Sequence, residues 1–170
     1  MPAPHIIAIA VALAACVTDL RARRIPNVLT FGAAALALVY HGTASGGAGL
    51  LWSLAGWLVG LALFFLPFAL GGMGGGDIKL LAALGAWFGP SDVVWLALYT
   101  GVAGGLMAIV VALVRGYLPT ALRNVGLLLT HWRVAGIRPL PELTIEHSAA
   151  PKLAYAIPIF IGTTVTIWLH

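Results

Sequence analysis

The sequence predicts an all-α membrane protein of about six transmembrane helices with an amphipathic helix on the cytoplasmic face, and three observations carry that expectation. Of 170 residues, 61% are hydrophobic and 8% charged, whereas a water-soluble domain has roughly a quarter of its residues charged. The apolar residues gather in stretches of helical length, separated by glycine, proline and charge. The nine Lys and Arg residues all fall on one side when the chain is threaded six times through a bilayer. At about 20 apolar residues per crossing, this length allows roughly five to seven spans and excludes a cytosolic enzyme core. With no internal repeat, residues 1–170 are expected to form a single domain.

The first apolar stretch, Ile6 to Val17, ends at Asp19 and a basic run. Within it Leu13-Ala14-Ala15-Cys16 has the look of a lipoprotein processing site. A signal peptide needs a basic start, however, and no Lys or Arg precedes Asp19 while three follow it, so the segment is expected to stay in place with Cys16 inert inside it. Pro26 pushes Ile25 out of helix and opens the second stretch, Val28 to Tyr40. Gly42 to Gly49 separates it from Leu50 to Leu70, where Gly56-x-x-x-Gly60 is expected to be a helix-contact face. Five glycines among residues 71–76 end that stretch. Ile78 to Phe88 follows, reaching only about 17 Å as a helix against a ~30 Å core. A re-entrant loop there would send Arg115 through Arg138 outside, so a spanning helix is expected, extended past Phe88 or thinning the bilayer, with Asp77 left below the membrane surface.

After a break at Gly89 to Asp92, in which Asp92 is expected to be an N-cap, comes Val93 to Val114 with a second contact face at Gly101-x-x-x-Gly105. Arg115 to Lys152 is the long polar stretch. In it Leu118, Ala121, Leu122, Val125, Leu128, Leu129 and Trp132 recur at helical spacing, with Arg123 and Arg133 able to meet anionic headgroups, which predicts a helix lying on the membrane face. Leu153 to Leu169 is the last crossing. With the N-terminus outside, Arg21, Arg23, Arg24, Lys79, Arg115, Arg123, Arg133, Arg138 and Lys152 are all cytoplasmic. Basic residues scattered between apolar segments set topology and meet lipid, and do not form a nucleic-acid-binding patch.

Of the five acidic residues, Asp19 and Asp77 sit at the cytoplasmic membrane boundary, where an ionisable group costs roughly 2.5 kcal/mol or more and is a functional candidate by default. Glu142 and Glu146 lie in the polar stretch and read as solvated. The glycines before Asp77 let a backbone approach closely, so a peptide substrate or a hinge are both open readings. They are not a dinucleotide fingerprint, since no strand precedes them and the spacing differs. There is no GxSxG or HExxH motif, the five histidines are mutually isolated, and the lone cysteine makes no zinc module, so no metal and no other cofactor is expected. What remains is two carboxylates from different helices. Brought together they can share a proton, one activating water and the other donating to a scissile carbonyl, which is aspartyl proteolysis. Paired membrane acids also serve proton-coupled transporters, so that reading stays open.

Asp19-Leu20-Arg21-Ala22-Arg23-Arg24-Ile25-Pro26-Asn27 and Gly74-Gly75-Gly76-Asp77-Ile78-Lys79-Leu80 resemble the two active-site blocks of the type IV prepilin peptidases, membrane aspartyl proteases carrying a GxGD motif. The similarity spans roughly Ile6 to Trp87, with a looser echo at Lys152-Leu153-Ala154-Tyr155-Ala156-Ile157-Pro158, where the family tends to have proline in place of Ala154. The resemblance implies that Asp19 and Asp77 are catalytic and that Gly74, Gly75, Gly76 and Lys79 belong to the active-site loop. It also implies a prepilin or pseudopilin substrate, whose short basic leader ends in glycine and is cut at the cytoplasmic face of the bacterial inner membrane. Larger members methylate the new N-terminus and carry a cysteine-rich insert. This chain lacks both the cysteines and the length, so it looks like the compact type associated with Flp/Tad pili, and methyl transfer is not expected; a non-catalytic pilus-assembly scaffold is the further alternative that the resemblance leaves open.

Overall fold

The structure is a computed structural model and describes residues 2–144 and 153–170. Glu146, His147 and Lys152 lie outside the described residues. The described residues form five α-helices and a short 3-10 turn: α1 (Ala3–Ala22), α2 (Asn27–Ala69), α3 (Gly75–Val114), α4 (Leu118–Ala135), the turn Pro141–Leu143, and α5 (Ala156–Leu169), with no strand among them. Three of these helices, α1, α2 and α3, are long and apolar enough to cross a membrane. The protein is an all-α membrane protein.

At 43 and 40 residues, α2 and α3 are about twice the length a ~30 Å hydrocarbon core needs. Each is interrupted by one glycine in a conformation that only glycine adopts cheaply, Gly46 at φ 63°, ψ −148° and Gly89 at φ 77°, ψ −179°. Both glycines fall within breaks expected from the sequence. The chain turns back on itself at each. Phe31 and Leu61 line the same recess, although on a straight helix they would be about 45 Å apart. The His41 and Trp52 rings on either side of Gly46 are 4.9 Å apart between centroids. In α3, Gly104 packs on Tyr155, which interacts electrostatically with Asp77, and the Val93 side chain reaches Gly85. Residues 27–45, 47–69, 75–88 and 90–114 are therefore four antiparallel limbs.

Water drives no association between helices inside lipid, so close backbone approach and interhelical hydrogen bonds hold these limbs together. Gly56 and Gly85 face each other so tightly that a Cβ on either would collide with the other's carbonyl oxygen, and a Cβ on Gly60 would lie 2.8 Å from the Leu81 carbonyl oxygen. The Gly56-x-x-x-Gly60 face is thus a contact face. Ser53 Oγ donates to the Ala86 carbonyl at 2.8 Å, and Trp87 Nε1 donates to the Ala33 carbonyl at 3.1 Å, so limb 75–88 is bonded to both limbs of α2. Every residue from Leu80 to Gly89 is buried. This explains how so short an apolar segment persists: its neighbours are protein, so its length of about 21 Å need not match the lipid.

Two smaller expectations are corrected. Gly101 and Gly105 face open space, and the contact face one residue away is Thr100-x-x-x-Gly104, where Gly162 of α5 abuts Thr100 and Gly104 meets Tyr155. Asp92 is not an N-cap. It accepts the Ser91 hydroxyl at 3.0 Å, and limb 90–114 starts instead with Pro90, whose missing N–H needs no cap. No residue of α4 is buried, and Leu122, Val125 and Leu129 stand exposed along it, leaving an uncovered apolar face.

Candidate active site

Asp19 sits in the last turn of α1, and the chain leaves that helix abruptly behind it. Arg23 adopts φ 52°, and its N–H closes the helix on the Asp19 carbonyl at 2.8 Å. Pro26 then starts α2, so Ile25 is held in the short connection. The second approach to the site is built by glycine. Gly71 at φ 74° ends α2, with the Gly72 N–H donating to the Pro67 carbonyl at 2.9 Å, a C-terminal cap that needs a left-handed residue. α3 then begins at Gly75, placing Asp77 in its first turn.

The glycines around Asp77 differ in how much room they have. A Cβ on Gly74 would lie 3.0 Å from Asp77 Oδ2, and the Asp77 carboxyl is hydrogen-bonded to the Gly74 backbone. A Cβ on Gly76 would lie 3.2 Å from Ile25 of the first block, while one on Gly75 would make an ordinary 3.5 Å contact with Phe68. Gly74 is therefore fitted to the carboxyl and Gly76 to the α1–α2 connection. Lys79 points away from the acids: Nζ donates to Asn27 Oδ1 at 3.1 Å and stands 5.6 Å from the centre of the Phe31 ring.

Asp19 and Asp77 lie within Coulombic reach of each other, and Asp19 is only 9% exposed. The fold thus places two carboxylates that are far apart in sequence within electrostatic range of each other. A third element completes the cluster at the start of α5. The Ala156 N–H points at Asp19 Oδ2 across 3.4 Å, while the preceding residue, Tyr155, interacts electrostatically with Asp77 and packs edge-on against Phe64 at 6.4 Å. Tyr155 and Ala156 were not among the candidate site residues. The signal that could have found them was the looser echo at residues 152–158, which contains Tyr155 and Ala156.

The basic run faces outward on a recess of about 500 Å³ lined by Thr18, Arg21, Arg24, Ile25 and Asn27. Among the described residues, no group of three or more His, Cys, Asp or Glu is arranged to hold a metal ion.

Residues 6–109 match the family model described as the type IV leader peptidase family. The chain belongs to the type IV leader peptidase family. The match takes in more than half of the sequence and covers both blocks, from Asp19 to Asn27 and from Gly74 to Leu80, and it ends within α3, before α4 and α5. Neither the curated proteins nor the solved structures give a match. A leader peptidase cuts a peptide bond, and the matched region contains both carboxylates, Asp19 and Asp77.

Proposed function

We propose that the protein is an aspartyl endopeptidase that removes the leader peptide of prepilins or pseudopilins, with Asp19 and Asp77 as its catalytic pair. The observation that carries this reading is that two carboxylates, from α1 and α3, lie within electrostatic range of each other inside the region matched to the leader peptidase family. Like charges at close range hold one proton between them. The ionised carboxylate takes a proton from water as the water oxygen bonds to the scissile carbonyl carbon. The protonated carboxyl gives its proton to the carbonyl oxygen, and a gem-diol results. Collapse of the diol breaks the C–N bond. The leaving nitrogen takes the proton acquired from water, and a diol hydroxyl returns the other, so both acids regain their starting states.

The surroundings suit an extended peptide. Gly74, Gly75 and Gly76 present backbone without side chains next to Asp77, and a substrate strand laid there can hydrogen-bond to it. Lys79 serves this loop by holding Asn27. In the membrane, the six apolar limbs α1, 27–45, 47–69, 75–88, 90–114 and α5 are six crossings, with the N-terminus outside and the acids at the cytoplasmic side of the bacterial inner membrane. Support comes from Arg21, Arg23, Arg24, Lys79 and Arg115, which all sit toward the end of the bundle that holds Asp19 and Asp77. The uncovered apolar face of α4 then rests in the cytoplasmic interface, and Arg21 and Arg24 meet anionic lipid headgroups. The chain is of the compact Flp/Tad kind, without methyl transfer and without a metal.

Co-expression with a candidate prepilin, followed by mass measurement of its N-terminus, tests the reading. The leader is expected to be lost only when this protein is present. Unprocessed substrate in its presence would move the transporter or scaffold readings ahead.

A further inference from the structure

We infer that the Tyr155 hydroxyl is a third catalytic group, donating a hydrogen bond to the oxygen of the scissile carbonyl as the gem-diol forms. The inference rests on the peptidase reading and adds a residue beyond the family-matched region. Its basis is the placement of the start of α5, where adjacent residues are tied to different acids: the Ala156 N–H faces Asp19 Oδ2, and Tyr155 lies within electrostatic range of Asp77.

The ring of Tyr155 is fixed. It is half-buried, meets Phe64 edge-on with an interplanar angle of 80°, and closes on Gly104, where a Cβ would lie 2.6 Å from the phenolic oxygen. Any residue larger than glycine at 104 would displace the hydroxyl. Yet that hydroxyl makes no hydrogen bond among the described residues, a condition it shares with the buried Thr100 Oγ1 on the same contact face, while the hydroxyls of Thr163 and Thr166 are both bonded to carbonyls within α5. An immobilised phenol within electrostatic range of a carboxylate, with its donor unused, is spare capacity in the site. A carbonyl oxygen gains negative charge as water adds, so a fixed donor aimed at it contributes most in the transition state. Tyr155 keeps its proton throughout, and the bonds made and broken are those of the two-carboxylate scheme.

The test compares the parent, Tyr155→Phe and Gly104→Val in detergent or vesicles, using a prepilin that the parent cuts. Tyr155→Phe keeps the ring packing and removes only the oxygen. It is expected to lower kcat by about 100-fold, in the range seen for loss of one oxyanion donor, with KM unchanged. Gly104→Val, which shifts the hydroxyl without deleting it, should also lose kcat. A structural role would instead move the melting temperature of Tyr155→Phe or its KM. As a measurement independent of folding, 3,5-difluorotyrosine at 155 retains shape but gives up its phenolic proton at lower pH. Its rate should fall as pH rises through a range where the parent still cuts. Tyr155→Phe activity within threefold of the parent, or a loss confined to KM, would overturn the inference and leave the dyad intact. A parent that cuts no prepilin would instead overturn the peptidase reading, and this inference with it.

Discussion

Lys79 Nζ donates to Asn27 Oδ1 at 3.1 Å and thereby joins two motif blocks that are 52 residues apart in the chain. The bond aligns the start of α2 with the start of α3, and with Gly76 resting on Ile25 it fixes how the chain leaves Asp19 relative to Asp77. Lys79→Met and Asn27→Ala should each lower the processing rate by about threefold to tenfold, the scale of one partly exposed charge-assisted hydrogen bond. The double variant should be no slower than the worse single one. Rates that multiply in the double variant would mean that the two residues act separately.

The three glycines before Asp77 should respond unequally. Alanine at Gly74 crowds Asp77 Oδ2 and at Gly76 crowds Ile25, whereas at Gly75 it makes an ordinary contact. Processing by Gly74→Ala and Gly76→Ala should fall by tenfold or more, while Gly75→Ala stays within about threefold of the parent. Equal tolerance at all three positions would show the loop to be a loose hinge rather than a fitted wall.

Much of this arrangement was legible in the sequence because glycine, proline and charge interrupt the apolar stretches where the chain turns. Gly46 and Gly89 lie in two such breaks, and Pro26 starts α2 as its fixed φ dictates. Asp19 and Asp77 stood out because charge is costly beside lipid. What could not be read was the face a helix offers its neighbour, which rotation by a single residue changes: Gly104, not Gly101 or Gly105, meets α5. Tyr155 was marked only by the loose motif echo at residues 152–158, and its place beside the site could not be read, since it depends on α5 packing against both α1 and α3 across much of the chain.

Orientation is testable with reporter fusions after Tyr40, Val114 and Leu169, which should read outside, inside and outside. An outside signal after Val114 would mean that limb 75–88 does not cross, and the acids would then face a different compartment from Arg115.

Metal removal should have no effect, since the proposed chemistry uses only carboxylates and water. Chelator treatment of purified protein is expected to leave the cleavage rate unchanged. Reversible loss, restored by one added divalent ion, would contradict a metal-free dyad.

The most direct measurement is the fraction of prepilin processed in membranes containing equal amounts of the parent, Asp19→Asn, Asp77→Asn, the double variant and Asp92→Asn. Asparagine keeps the size and much of the hydrogen bonding of aspartate but cannot carry the proton, so each site variant should fold, as judged by detergent-extracted size, and should lose at least about 1,000-fold in rate. Because the two acids work as one unit, the double variant should be hardly worse than either single one. Asp92, bonded to Ser91 beside the Gly89 turn at the far end of the bundle, should tolerate the change with near-parental activity. Cleavage close to the parental rate by either the Asp19 or the Asp77 variant would contradict the dyad.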